Sequence, residues 1–344
     1  MKYFFIIICS VSVLIWVPSC RKADLGFHQG QNSILTGLEN SPEKLSDSDC
    51  RKCHSRHLQD QAVNSHGRAW VNPLFQSGYR LEPMNWCIHC HAPLESQKKE
   101  ILGKENGILH NEGINCAVCH IRNGKIVSSE KRNNSPHDTV IDGTLNSSEF
   151  CAGCHEFNFP LVREGRFSFS SEPMQSVYSE WKKSGTKKSC QNCHFENHIL
   201  KGPSSAGWLK KALGDPELTD SGKGLLHLHL EITAKRAHSF PAGDLFRSLS
   251  LEFSNFSDFK TLFFAKKFAR FYGAGLTDTG TFWNRRLLSD STLKPDDNEI
   301  RITFDDPGIR DIFFRIRFFY HDPELGGKTG APENSVILYE KKMR

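Results

Sequence analysis

The sequence predicts an α+β protein in which an N-terminal helix-and-loop domain precedes an antiparallel β-sandwich. Two observations lead to this fold class. Five short strings of the form Cys-x-x-Cys-His occur between Cys50 and His194, in a stretch that holds few aliphatic residues. After Gly207 there are no cysteines, and apolar and polar residues alternate with a period of two in several segments. Such alternation is typical of strands that bury one face.

The five strings have the attachment signature of c-type haem, in which two thiols form thioethers with the porphyrin and the histidine binds iron. The alternatives are zinc sites and disulfides. Zinc usually takes four ligands from paired half-sites, and a disulfide gives no reason for a histidine after every pair. The strings therefore predict five covalent haem c groups. The attachment cysteines are Cys50, Cys53, Cys87, Cys90, Cys116, Cys119, Cys151, Cys154, Cys190 and Cys193, and the proximal iron ligands are His54, His91, His120, His155 and His194.

Composition limits the other possibilities. At 344 residues the chain has room for two domains. Of its twelve cysteines only Cys9 and Cys20 lie outside the strings, so none is left for a structural disulfide. The formal net charge is +5, but each ferric haem adds about one negative charge through its propionates. The holoprotein is then roughly neutral, and the charge does not indicate nucleic-acid binding.

The N-terminus predicts export. Residues 1–19 comprise a lysine, an apolar run and Pro18-Ser19, a pattern typical of a secretory signal and too short for a comfortable membrane span. Val-Pro-Ser-Cys20 resembles a lipoprotein signal that would place a lipid on Cys20, although Pro18 departs from the usual pattern. Ordinary cleavage near Ser19 or an uncleaved anchor are the alternatives. Each places the folded protein outside the cytoplasm, in the periplasm or at the outer membrane.

The chain divides into a polar tether over 20–46, the haem domain over 47–205 and the β-sandwich domain over 206–344. Within the haem domain we expect short helices and loops, the clearest over Ser55–Ser65 and Pro173–Ser184. The tether carries His28, which we expect to be solvated. Predicted strands lie at Leu226–Ile232, Leu249–Phe253, Ile300–Phe304, Ile312–Tyr320 and Val336–Tyr339.

The ligand at the sixth coordination position of each iron distinguishes electron carriers from enzymes. Histidine on both faces favours electron transfer, whereas an open face lets substrate bind. The chain has eleven histidines besides the five proximal ones, and beyond Met1 and Met343 it has only two methionines. We therefore expect mostly bis-histidine haems.

Several stretches around the strings resemble the multihaem cytochromes related to hydroxylamine oxidoreductase and nitrite reductase. They include Gly113-Ile-Asn-Cys-Ala-Val-Cys-His, Ser148-Glu-Phe-Cys-Ala-Gly-Cys-His and His238-Ser-Phe-Pro-Ala-Gly, and the likeness covers about residues 47–243. The resemblance implies that His66 and His238 are distal ligands, followed by His110, His137 and His198. The nitrite-reducing members carry a string that ends in Lys, but all five strings here end in His.

These features favour an electron carrier over an enzyme. We expect bis-histidine haems to pass electrons between redox partner proteins, or from a membrane quinol-linked donor of a respiratory chain. The alternative is a reductase or oxidase of a small nitrogen or sulfur compound at one haem with an open position. A third interpretation is a structural subunit whose β-domain recruits an enzyme.

Overall fold

The computed structural model describes residues 45–62, 64–131, 135–163, 166–196, 198–202, 205–274, 285–326, 330 and 333–344. The predicted signal and most of the predicted tether, with Cys20 and His28, lie outside these residues. Within the described ranges, no helix has both the length and the hydropathy needed to cross a bilayer.

Short helices dominate the region that carries the haem strings. They are α1 (Asp47–Ala62), α2 (Pro73–Leu81), α3 (Asn85–His91), α4 (Glu95–Ile101), α5 (Cys116–His120), α6 (Ser148–His155), α7 (Val177–Lys183), α8 (Cys190–His194) and α9 (Ala206–Lys210), with 3-10 helices at Leu109–Glu112 and Gly143–Asn146. Small strands lie between them: β1 (Ile121–Arg122), β2 (Lys125–Ser128), β3 (Val140–Ile141), β4 (Glu156–Arg163), β5 (Arg166–Ser176), β6 (Phe195–Glu196) and β7 (Ile199–Leu200).

The hairpin of β4 and β5 is absent from the sequence prediction. The strands pair antiparallel directly after the fourth string. Their alternating phenylalanines, such as Phe157 and Phe159, carry a period-two signal in the sequence. Pro173, predicted to begin a helix, instead lies in β5 opposite Asn158, where the register shifts. Proline is tolerated at such bulges, and the helix begins at Val177 instead.

The described residues after 206 form two antiparallel sheets. Its strands are β8 (Glu217–Asp220), β9 (Leu225–Glu231), β10 (Ser248–Ser254), β11 (Phe264–Ala274), β12 (Arg285–Asp290), β13 (Glu299–Asp305), β14 (Phe313–His321) and β15 (Asn334–Lys342), with the short helix α10 (Pro323–Gly326) before the last strand. One sheet has the order β12-β11-β10-β14-β15 and the other β13-β9-β8. The α+β class predicted from the sequence is confirmed.

One apolar core joins the two sheets. Alternate residues of β9, including Leu228 and Leu230, pack in the same cluster as Leu251 of β10 and Ile316 of β14. Side chains of this kind each stabilise a fold by about 1.5–3 kcal/mol when fully buried. The apolar clusters around the haem strings are much smaller. The sheets therefore have a self-sufficient core, whereas the helical region does not.

The contacts that hold the sheets against the helical region include an ion pair and an apolar cluster. Glu180 of α7 pairs with Arg270 of β11 and accepts a hydrogen bond of 2.8 Å from the Ser239 backbone nitrogen. In the apolar cluster, Phe246 packs with Met84 and Cys87 of the second string region. The first contact fixes the turn that carries His238, and the second covers the second string.

Candidate multihaem site

Each Cys-x-x-Cys-His string forms about one turn of helix. In α3, α5, α6 and α8, the histidine of the string is the last residue of the helix. The first lies inside α1, where His54 leaves helical geometry with φ −112° and ψ 38°. All ten described cysteines are free thiols. Both thiols of every string are therefore available for thioether bonds, with the imidazole beside them.

Four of the five string histidines face a second histidine from elsewhere in the chain. The ring centroids are 6.3 Å apart for His54 and His137, 5.9 Å for His120 and His198, 6.1 Å for His155 and His66, and 6.0 Å for His194 and His238. A metal-to-imidazole bond is about 2 Å long, so two imidazoles on opposite faces of one metal have centroids about 6 Å apart. The four pairs have the spacing that one iron between them requires.

The first pair has a competitor in His57, whose ring centroid is 6.0 Å from that of His54. These two residues are three apart on α1, where neighbouring side chains meet without any shared ligand. His57 also lies 4.2 Å from His198, which is too close for a metal between the two rings. His137 is therefore the better partner of His54, and His57 lies between the first and third strings.

The second string is the exception, because among the described residues no histidine faces His91 at this spacing. The ring of Phe75 is stacked on the His91 ring at 3.5 Å and 10°. His110, the remaining predicted distal ligand, makes a hydrogen bond of 2.8 Å to the Glu100 carboxylate through Nδ1 and meets Trp70 edge-on. The structure thus pairs four of the five predicted distal histidines with a string and leaves His110 apart.

Hydrogen bonds orient the string histidines for metal binding through Nε2. Nδ1 of His91, His120 and His194 donates to a backbone carbonyl at 2.9, 2.9 and 2.7 Å respectively. A bond of this kind fixes the tautomer and turns the other nitrogen toward a metal. Desolvation lowers the pKa of His66 and His91 to about 4. These rings are neutral at physiological pH, as iron binding requires.

Gly113 shapes the turn that presents His66. It has φ +56°, and a Cβ at this position would lie 2.7 Å from the His66 carbonyl oxygen. That same carbonyl accepts a hydrogen bond of 2.9 Å from the Ile114 backbone nitrogen. The glycine of Gly-Ile-Asn-Cys thus lets the His66 turn pack closely against the start of the third string.

Thiol contacts connect the strings to one another. Cys50 lies beside Cys116, which brings the first and third strings together. Cys154 of the fourth string lies beside Cys90 of the second. It also packs in one cluster with the third-string residues. The fourth string reaches the fifth as well, because Cys151 lies beside Cys190. The fourth string is thus a junction of three neighbours.

Arg122 has a buried hydrogen-bond donor that could bind an anionic group of a cofactor. Its Nη1 donates to the carbonyls of Val118 and Ile121, and its guanidinium lies over the Phe150 ring at 5.5 Å. Its buried Nη2 has no partner among the described residues. An unsatisfied buried donor is costly, and a haem propionate between the third and fourth strings would satisfy it. The free thiols, the oriented imidazoles and this donor all fit haem c.

Sequence reasoning missed several residues of the site. His57 follows the first string closely, but a His next to a haem peptide gives no sign of which iron it approaches. Phe75 and Glu100 have no local signal either, because their roles depend on contacts with distant segments. Within the described ranges, no three side chains among His, Cys, Asp and Glu converge as a simple metal-ion site.

Taken together, the fold and site define a helical region with five haem-attachment strings beside two antiparallel sheets. A solved structure with a similar fold is that of a penta-heme cytochrome c552 from Thermochromatium tepidum, with a TM-score of 0.64 and 18% sequence identity over 89% of this chain and 100% of that chain. No protein-family model matches the sequence, and neither does any curated protein. At this identity the similarity shows the fold.

Proposed function

We propose that this chain is an extracytoplasmic pentahaem c-type cytochrome that passes electrons between redox partners. The observation that carries the proposal is the set of four histidine pairs with centroids 5.9–6.3 Å apart. Haem c supplies a one-electron Fe(III)/Fe(II) couple when bound. An iron with imidazole on both faces has no position for a substrate, which suits a carrier. The fold similarity to a penta-heme cytochrome agrees with this function.

The thiol contacts support an order for the haems. We place the first next to the third, the third next to the fourth, and both the second and the fifth next to the fourth. Cys53 of the first string and Cys193 of the fifth are exposed, whereas Cys87 of the second is buried. Electrons would therefore enter and leave through the first and fifth haems, where a partner protein can approach the cofactor edge.

The remaining parts of the proposal concern the ends of the chain and its partners. Residues 47–205 form the haem domain, and 206–344 form a β-sandwich domain that covers the fifth haem through His238. A signal over 1–19, a lipid on Cys20 and a tether over 20–46 would hold the protein at a membrane surface. Donors are redox proteins or a membrane quinol-linked complex, and nucleic acid is not a partner.

Haem content and ligation test the function directly. We expect five haems per chain by pyridine haemochrome assay and by intact mass, and mostly low-spin ferric signals. His198→Ala should convert one haem from low-spin to high-spin. The matched control is His229→Ala, because His229 lies on β9 and bonds Glu299 at 2.9 Å. Substantially fewer than five haems, or an H198A spectrum like that of the control, would refute the proposal.

A further inference from the structure

Four exposed lysines lie directly before the fifth string. We propose that they dock an acidic electron-transfer protein, which exchanges electrons with the haem held by Cys190, Cys193 and His194. The inference rests on the proposed function and deepens it, because it names the chemistry of the partner at one of the two exposed haems. It is argued from the placement of the lysines, the exposed side of the fifth string and the difference in charge between the two ends.

The lysines occupy one short turn between α7 and α8, called here the lysine turn (182–188). They are Lys182, Lys183, Lys187 and Lys188, and all four are exposed. The turn is closed at its base, because the Trp181 indole donates a hydrogen bond of 2.8 Å to the Lys188 carbonyl. The Ser184 hydroxyl donates to the Trp181 carbonyl at 2.7 Å, and Ser189 caps α8. These hydrogen bonds hold the four charges next to the fifth string.

The fifth string is anchored at one end and exposed at the other. The Cys190 backbone nitrogen donates to the Ser148 hydroxyl of α6 at 3.1 Å, which joins this end to the fourth-string helix. Cys193, at the other end, is exposed. Phe195, which follows His194 directly, is 43% exposed. The edge of the haem at Cys193 is therefore open to a partner, with an aromatic ring close by in the chain.

Charge distinguishes this end of the molecule from the other exposed end, at the first string. Residues 47–60 contain three acidic and three basic side chains, so their formal charges cancel. Residues 181–195 contain four lysines and no acidic residue. Exposed charges are screened beyond about 8 Å at physiological ionic strength, so the local balance decides which partner is attracted. The fifth string favours a negatively charged partner, and the first string has no such preference.

The carboxylates near the lysine turn do not cancel its charge. Glu180 is paired with Arg270, and Glu196 is paired with Lys201. The exposed Glu149 lies near Lys182 and can offset one of the four charges. Three positive charges then remain beside the haem edge.

These features fit a transient interface between two proteins. Contacts between redox proteins often bury less than about 1,200 Å² in total, with an apolar centre and a polar rim. Phe195 supplies an apolar group and the lysine turn supplies the charges. Opposite charges raise the association rate by about 10- to 1,000-fold, and a small interface still releases the partner after the electron has moved. The partner that fits is a small protein with carboxylates around its own cofactor.

Electron transfer with an acidic probe protein tests the interface. Reduced flavodoxin, an acidic flavoprotein, passes one electron to a ferric haem of the holoprotein, and stopped-flow absorbance follows the reaction at low ionic strength. We expect Lys187→Glu/Lys188→Glu to lower the second-order rate constant by about tenfold or more and to weaken its dependence on salt. Hexaammineruthenium(II), a small cation, should reduce the variant no more slowly than the wild type, because the haems themselves are unchanged.

The matched control is Lys223→Glu/Lys341→Glu. It makes the same change in net charge at two exposed positions among the sheets, and its rate with flavodoxin should match that of the wild type. An unchanged rate in K187E/K188E, or equal losses in the two double variants, would overturn the proposal. Normal reduction by hexaammineruthenium(II) would then leave the carrier function standing.

Single substitutions compare the two exposed ends. Arg56 is exposed two residues after the first string, and Arg56→Glu makes the same change in charge there as Lys188→Glu makes at the fifth. We expect K188E to slow the reaction with flavodoxin more than R56E does. The opposite order would place the docking surface at the first haem and contradict the assignment.

An anionic membrane surface is the other partner that clustered lysines attract. Sedimentation with vesicles of phosphatidylcholine and phosphatidylglycerol distinguishes the two. We expect K187E/K188E and K223E/K341E to bind these vesicles equally. Weaker vesicle binding by K187E/K188E alone would assign the lysine turn to the membrane and overturn the proposal.

Discussion

At the scale of single residues, the hydrogen bond made by Nδ1 of each histidine decides whether Nε2 is available to bind a metal. A backbone carbonyl accepts from Nδ1 in His91, His120 and His194, and the Gln175 side chain lies 3.2 Å from Nδ1 of His155. In His110 the same nitrogen meets a carboxylate instead. Local hydrogen bonding thus prepares the string histidines as ligands, and distant segments supply the rings that face them.

Gly113 makes a prediction at this scale. Gly113→Ala should destabilise the protein by about 1–3 kcal/mol, since the residue lies in a backbone region that only glycine populates readily. Because the new Cβ would clash with the His66 carbonyl, the variant should also move the His66 ring from its position opposite His155. A lower melting temperature and a larger high-spin fraction would be measured together.

The control for this variant is Gly143→Ala. Gly143 begins a 3-10 helix, and nothing lies within 4 Å of the Cβ it would gain. We expect its spectrum and melting temperature to match the wild type. If G113A left the spin state unchanged, Gly113 would have no part in presenting His66.

At the scale of elements, the sequence predicted what local patterns encode. The five strings and the strands around Leu226, Leu249, Ile300 and Phe314 were visible because each carries its own signature. The sequence does not predict β11, because apolar and polar residues do not alternate regularly in Phe264-Ala-Lys-Lys-Phe-Ala-Arg. It does not predict β12 either, because neither face of that strand is buried. The pairing of string histidines with distant rings depends on tertiary contacts, and no spacing rule predicts it. The resemblance to related multihaem proteins supplied candidates without assigning any of them to a string.

The centre of the large sheet gives a prediction about stability. Glu252 of β10 is 3% exposed and accepts hydrogen bonds from Arg315 at 2.5 Å and from Arg317 at 3.1 Å, both on β14. Removing one member of a buried ion pair leaves its partners uncompensated and costs about 3–5 kcal/mol. Glu252→Ala should lower the free energy of unfolding by that amount in chemical denaturation followed by circular dichroism.

A matched control exists on the same arginine. Glu333 also pairs with Arg317, at 2.9 Å, but is 44% exposed. Exposed pairs contribute less than about 1 kcal/mol, so Glu333→Ala should change stability little. Equal effects of E252A and E333A would show that burial of the pair does not matter here.

Asp290 at the end of β12 predicts a dependence on pH. Burial alone would raise the pKa of its carboxyl, but hydrogen bonds from Lys294 and Thr292 and the charge of Arg270 lower it to about 2. A depressed pKa in the folded state stabilises the fold above the pKa of the unfolded chain, near 4, and this stabilisation is lost as the pH falls toward 2. Asp290→Asn should therefore be less stable by about 2 kcal/mol at pH 7.

The same difference should shrink as the pH is lowered from 4 to 2, because the fraction of the wild-type carboxyl that is protonated rises over this range. Asp296→Asn, at an exposed position of the following loop, serves as the control and should follow the wild type at every pH. Urea unfolding at several pH values measures the effect. A deficit of D290N that stays constant between pH 7 and pH 2 would exclude the carboxylate as its cause.

At the scale of the whole molecule, the two regions differ in what fills their interior. The sheets share one continuous apolar core, from Leu209 to Leu338. The helical region holds separate small clusters, such as that of Leu94, Ala117, Val118 and Ile121. A chain segment needs enough buried apolar surface to offset the entropy of ordering it. Bound porphyrin would provide that surface in the helical region, so we expect attached cofactor and fold to depend on each other there and not in the sheets.

This difference predicts how the chain behaves without its cofactor. When the protein is produced without haem-attachment machinery, we expect residues 47–205 to be digested rapidly by a protease and the sheets over 206–344 to resist, because only the latter keep their core. Fragment masses after brief proteolysis locate the cleavages, and the haem-loaded protein, protected over both regions, is the control. In the haem-loaded protein, Glu180→Ala removes the ion pair to Arg270. The boundary between the helical region and the sheets should then become accessible to the protease, while the sheets stay folded. Equal digestion of both regions in the haem-free protein would mean that the sheets also depend on the cofactor, and protection of 47–205 would mean that its fold needs no porphyrin.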